Sequence, residues 1–241
     1  MFKTKLFVSG ILALIAVALF SGTAQAQQLS CGWNGQNHQP FNVEANIWIG
    51  KYGYGFVDLN LCNNVIMNHG VGSVCNWTGS NFQPFSIQSG REIGILNYGF
   101  NQFNDCIQAT TSDVNEIVCN WNGMNLQPYD SFTGQMVGKQ GHGFSNLPEC
   151  TTATLSAQNH LVCTWNGVNY QPYLAIGNRF IGRADFGFAT LDLCTQATRS
   201  SGQSICNWDG RGYSAYQLQT PAVGMASFPS LNDCTTYTGQ N

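Results

Sequence analysis

Apolar and aromatic positions recur along this chain with a long period laid over a short one. From Cys31, Cys75, Cys119, Cys163 and Cys206 the sequence runs CGWNGQNHQPF, CNWTGSNFQPF, CNWNGMNLQPY, CTWNGVNYQPY and CNWDGRGYSAY. Ahead of Cys62, Cys106, Cys150, Cys194 and Cys234 it runs GFVDLNLC, GFNQFNDC, GFSNLPEC, GFATLDLC and SFPSLNDC. The period is 44, 44, 44 and 43 residues. Five internal repeats, 31–74, 75–118, 119–162, 163–205 and 206–241, therefore make up a single domain.

Each unit carries the same local signals. The cysteine and the tryptophan two residues later share one face of a strand by the period-two rule. Asn34-Gly35, Asn122-Gly123, Asn166-Gly167 and Asp209-Gly210 predict a type I′ hairpin turn after that strand, from which Thr78-Gly79 departs because a β-branched residue resists positive φ. Ser89-Gly90, Thr133-Gly134 and Gly177-Asn178 mark a second turn before a short apolar strand holding Ile49, Ile93, Val137, Ile181 or Val223, each followed by glycine. Proline at 40, 84, 128 and 172 lacks a ladder donor, so its strand should be an edge or pairing should stop there. Phe188, Leu191, Cys194 and Ala197 recur at helical spacing with Thr190 as N-cap, which predicts a closing helical turn. The fold class is thus mainly β, with three short strands and a helical turn per unit.

Units of this length with several strands fit a closed five-bladed, propeller-like ring, favoured over an open array that would need polar caps at both ends. The fifth unit departs: Ser214-Ala215-Tyr216 replaces Gln-Pro-aromatic, and three residues are missing between its cysteines. It reads as a degenerate cap.

The ten cysteines allow two repeating schemes. Pairing within units gives Cys31–Cys62, Cys75–Cys106, Cys119–Cys150, Cys163–Cys194 and Cys206–Cys234. Pairing across units joins Cys62 to Cys75 and so on, leaving Cys31 for Cys234. Loop entropy, ~3–4 kcal/mol in either case, does not separate them. The first is favoured because a duplicated module then keeps its own staple. Metal ligation is disfavoured, since no close C-x-x-C pair or matching histidine accompanies them.

A basic start, the apolar run Leu6–Phe20 and Ala24-Gln25-Ala26 read as a signal peptide over 1–26, removed on export to the periplasm or outside. No later run approaches membrane-spanning length. Loss of Lys3 and Lys5 leaves 7 basic residues against 12 acidic ones. Only 9% of the residues are charged and no basic stripe exists, which disfavours nucleic acid. With 43% hydrophobic and 12% aromatic residues the chain can bury a core.

No HExxH, GxSxG or P-loop pattern appears, and His38, His69, His142 and His160 fall at unrelated repeat positions, so no catalytic constellation, metal site or cofactor is expected. The acids near the second cysteines, Asp58, Asp105, Glu149, Asp192 and Asp233, read as solvated. Lys51, Lys139 and Arg183 read as solubilising. Phe56, Phe100, Phe144, Phe188 and Phe228 read as core.

Ligand-binding candidates come from repeated positions. Trp33, Trp77, Trp121, Trp165 and Trp208 either cover the disulfides or offer flat platforms for sugar rings. Asn37, Asn81, Asn125 and Asn169, each followed by Gln39, Gln83, Gln127 or Gln171, would place two amides at a hairpin tip, suited to hydroxyls that donate and accept. Tyr129 and Tyr173 follow the prolines as further aromatic contacts. Between the amides, His38, Phe82, Leu126, Tyr170 and Tyr213 vary and would tune each site. The expectation is a lectin-like, multivalent binder of glycans or cell-surface polymers, with one weak site in each complete unit. An adhesion or matrix protein with protein partners, and a hydrolase or inhibitor, are the alternatives.

Overall fold

The computed structural model describes residues 28–199, 203–218 and 224–240; the leader with its cleavage site, and Val223, lie outside the described residues. Each unit opens with an antiparallel pair of five-residue strands: Leu29–Trp33 with His38–Asn42, Ser73–Trp77 with Phe82–Ser86, Ile117–Trp121 with Leu126–Asp130, Leu161–Trp165 with Tyr170–Leu174, and Ser204–Trp208 with Tyr213–Gln217. The cysteine always faces the proline, or Ala215 in the fifth unit.

The turn differs from the expected type I′. Trp33 pairs with His38, so four residues form the loop, and only its glycine takes positive φ, +102° at Gly35 and +97° at Gly79. The residue before the glycine organises the turn with its side chain. Asn34 Oδ1 accepts from the amides of Gln36 and Asn37 at 2.9 and 2.8 Å. Thr78 Oγ1 accepts from the Asn81 amide at 3.2 Å, so threonine fits where only an oxygen, and no left-handed backbone, is demanded.

The prolines explain the rest of the unit. Pro40 lies on the central strand of its sheet rather than an edge, and its carbonyl accepts from Ile49 N at 2.9 Å, so its missing N–H faces the end of the short third strand Ile47–Trp48. Pairing there lapses, the chain loops out, and it rejoins at Phe56, which exchanges two backbone bonds with His38. The same excursion separates Ile93 from Phe100, Val137 from Phe144 and Ile181 from Phe188. Ala215 replaces the proline in the fifth unit, and there the third strand Gly224–Phe228 runs without the excursion. Where the proline is lost, the excursion is lost with it.

A helix closes each unit: α1 (Leu59–Met67), α2 (Phe103–Thr111), α3 (Leu147–Leu155), α4 (Leu191–Arg199) and α5 (Leu231–Gln240). Asp58, Asn146, Thr190 and Ser230 accept first-turn amides as N-caps. Helices of nine or ten residues are too short to hold alone. Each is tied to the first strand of its own unit by a disulfide that spans 31 residues, or 28 in the fifth unit, so the pairing is within units. Beyond the staple, α1 to α4 also pack on the first strand of the following unit, while α5 packs on its own sheet.

Adjacent units lock through a polar and an aromatic contact. Asn76, Asn120 and Asn207, beside the buried cysteines, donate to the carbonyls of Ile49, Ile93 and Ile181 in the preceding unit at 2.9, 2.7 and 2.9 Å. The glycine after each of those residues leaves room for the amide: a Cβ on Gly50, Gly94 or Gly182 would fall under 3.0 Å from it. Unit four carries Thr164 instead, and Asn178 substitutes by exchanging two bonds with the Gly138 backbone at 2.6 and 3.1 Å. The looped-out segments supply the aromatic contact. Tyr54, Tyr98, His142 and Phe186 lie over the turn glycines Gly79, Gly123, Gly167 and Gly210 of the next unit, where a Cβ would also come under 3.0 Å. Lys51 and Arg183 back two of these rings, with the cations 5.0 and 4.8 Å from the Tyr54 and Phe186 centroids.

The described strands make five separate sheets of two or three strands, none closed on itself, and closure of the units into the expected ring is not shown. Gly35, the turn glycine of unit one, has nothing among the described residues within 4 Å of a built Cβ. Unit five in turn has Ala226 where the covering aromatic would stand. In unit one Gly32 replaces the asparagine, and the Trp48 ring, 2.6 Å from a built Cβ, covers that face.

Candidate functional site

All the tip amides but that of Gln83 are occupied within the chain. Gln39, Gln83, Gln127 and Gln171 are 1%, 0%, 1% and 3% exposed. Gln39 accepts from Asn34 Nδ2 at 2.7 Å and donates to Ile49 O at 3.1 Å. Gln127 accepts from Asn122 and donates to the carbonyls of Lys139 and His142, and Gln171 donates to Phe186 O. Asn37, Asn81, Asn125 and Asn169 donate to Gly53, Asn97, Gly141 and Asp185 carbonyls at 2.9, 2.8, 3.2 and 3.0 Å. Seven of these eight amides donate to the backbone of the looped-out segments; Gln83 alone, fully buried, has no hydrogen-bond partner among the described residues for either side-chain polar atom. Tyr129 and Tyr173 are buried too, and burial pushes the Tyr129 hydroxyl up to about 12.

The tryptophans are placed differently. Trp33 is 58% exposed, and Trp77, Trp121, Trp165 and Trp208 are half-buried. Each of the last four forms one wall of a contact between units. The variable residue bridges it: Phe82 lies 4.7 Å from Trp77 and 6.5 Å from Phe56 of unit one, and Tyr170 lies 5.0 Å from Trp165 and 6.4 Å from Phe144 of unit three. Tyr213 sits likewise between Trp208 and Phe188.

Open grooves lie along these junctions. Between units one and two, a groove of about 390 Å³ is lined by Phe56, Val57, Leu61, Trp77, Phe82 and Phe103. Between units two and three, one of about 440 Å³ is lined by Phe100, Gln102, Asp105, Trp121, Leu126 and Asn146 among others. Between units three and four, one of about 130 Å³ is lined by Gly143, Phe144, Ser145, Glu149, Trp165 and Tyr170. The Tyr170 hydroxyl donates to Glu149 Oε1. Burial, with Glu149 beside it, pushes that hydroxyl up to about 12, so it stays a donor.

The grooves bring together three sets of residues that the sequence marked singly: the tryptophans, the variable position, and the residue before the second cysteine. Asp105 and Glu149, read as solvated, face grooves. The link between Glu149 and Tyr170 crosses a unit boundary 21 residues along the chain, a pairing no periodicity within one unit reveals. Among the described residues no three His, Cys, Asp or Glu side chains converge as a metal would need. No helix of the described residues is long and apolar enough to cross a membrane. Compared with known proteins, the chain matches no family model, no curated protein and no solved structure.

Proposed function

We propose that this protein is an exported, multivalent binding protein that takes neutral glycans into the grooves between its units. One observation carries the reading: the same wall, a partly exposed tryptophan beside the phenylalanine of the preceding unit, recurs at successive junctions as an open groove. A flat aromatic face suits the apolar face of a sugar ring, and the groove rims at Asn101, Gln102, Ser145 and Asn146 supply uncharged hydrogen-bonding groups. A surface with 9% charged residues gives little opposition to a neutral, hydroxyl-rich polymer. Five disulfides and the apolar leader support export.

Sites repeated on one frame act through effective concentration, so single sites of millimolar strength become useful together. A glycan array on the chain from residue 27 onward selects the sugar. Calorimetry with the corresponding monosaccharide or disaccharide is then expected to show more than one molecule bound per chain. Multivalent presentation is expected to raise apparent affinity ~10²-fold. One molecule per chain, with no gain from multivalency, would overturn the reading.

A further inference from the structure

The grooves share a wall and differ in charge, and the smallest of them has the most specific chemistry. Between units three and four the rings of Trp165 and Tyr170 meet at 5.0 Å with a 57° tilt, and Phe144 closes the floor 6.4 Å from Tyr170. The Glu149 carboxylate stands in the lining of the same cavity, with one oxygen taken by the Tyr170 hydroxyl. Aromatic faces carry negative electrostatic potential and attract a cation placed over them. A carboxylate beside such faces supplies the counter-charge. Neither neighbour completes this set. The groove between units one and two has Leu61 and Phe82 at the positions of Glu149 and Tyr170, and the groove between units two and three has Asp105 but Leu126.

We propose that the groove between units three and four binds an organic ammonium group, held over Trp165 and Tyr170 with Glu149 as its counter-ion. The inference rests on the junction grooves being binding sites, and it assigns this one a cationic ligand, such as the amine of an amino sugar or a quaternary ammonium headgroup. The confined volume, about 130 Å³ against 390 and 440 Å³ in the other two, suits a compact headgroup more than a full sugar ring.

The test follows the indole signals by NMR while the chain from residue 27 onward is titrated with choline and with glucosamine. The neutral counterparts are 3,3-dimethylbutan-1-ol and glucose. Choline, glucosamine or both are expected to shift the Trp165 indole and to bind ~10-fold tighter than the neutral counterpart, and which of the two binds identifies the source of the nitrogen. Glu149→Gln is expected to remove that preference. Leu61→Glu combined with Phe82→Tyr is expected to add a second ammonium site, seen at Trp77. Equal binding of charged and neutral probes at Trp165, or a preference that survives Glu149→Gln, would overturn the proposal. If neutral glycans still shift Trp121 while no ammonium preference is found, the ammonium assignment alone falls. If no probe of either kind shifts a junction indole, the glycan reading falls with it.

Discussion

Asp113 is the one carboxylate fully closed off between two units, at 0% exposure. Its Oδ2 accepts from the Gly72 amide at 3.1 Å and the Ser73 hydroxyl at 2.7 Å. Burial raises its pKa, and these hydrogen bonds only partly pull it back. The folded chain therefore holds this proton more tightly than the unfolded chain, where the carboxyl titrates near ~3.9. Its contribution to stability is full below that value and is lost as pH rises through the folded pKa. Asp113→Asn keeps an acceptor for Gly72 and Ser73 and removes the titration. It should melt higher than wild type at pH 7 and converge with it near pH ~4; an asparagine variant less stable at pH 7 would contradict this account. Gln127→Ala should cost ~1–3 kcal/mol, read from chemical denaturation, because it strands the Asn122, Lys139 and His142 partners. Glycan affinity should not change. The Asn-Gly pairs and the Asn-x-Gln runs were legible as turn signals, but not the direction of their side chains. A polar residue at a tip reads as exposed unless one knows that a proline nearby frees backbone carbonyls that need donors.

At the scale of the element, the first two strands of each unit, the helices and the staples were visible in the chain, because each is encoded within a single 44-residue period, whereas the expected third strand forms in units one, four and five and only as isolated bridges in units two and three. Nine-residue helices are too short to hold alone, and each depends on its disulfide together with its packing on neighbouring strands. Five staples at ~3 kcal/mol apiece are comparable to the whole ~5–15 kcal/mol stability of an ordinary domain. Reduction in mild conditions should therefore unfold the chain at room temperature, with loss of the helical circular-dichroism signal. Thiol titration of the oxidised, denatured chain should find close to none. A reduced chain that keeps its spectrum would show that packing between units suffices. Asn120→Ala tests that packing separately. It removes the bond to Ile93 O and should cost ~1–3 kcal/mol with every disulfide intact.

For the whole molecule, ring and open array hinge on the contacts between units, which a repeat sequence encodes only in its exceptions. Those exceptions are Gly32 where other units carry Asn or Thr, Ala215 for proline, and Ala226 for the covering aromatic. Together they make the first and last units unlike the others. Among the described residues the last unit carries no excursion within the third strand, and its helix α5 is rich in Asn, Asp and Thr. Deleting residues 206–241 removes that polar end and bares the packing faces of α4 and Phe186. The shortened chain should self-associate in analytical ultracentrifugation, whereas the full chain should not change its state on binding a monovalent sugar.

The central claim is that ligands enter between units rather than at the hairpin tips. Two-dimensional NMR of the chain during titration with a neutral oligosaccharide chosen from the glycan array reads both places at once, since indole and side-chain amide protons give separate signals. The account predicts that the Trp77 and Trp121 indoles shift together while the side-chain amides of Asn37, Asn81, Asn125 and Asn169 hold still. Shifting amides with unmoved indoles would contradict it.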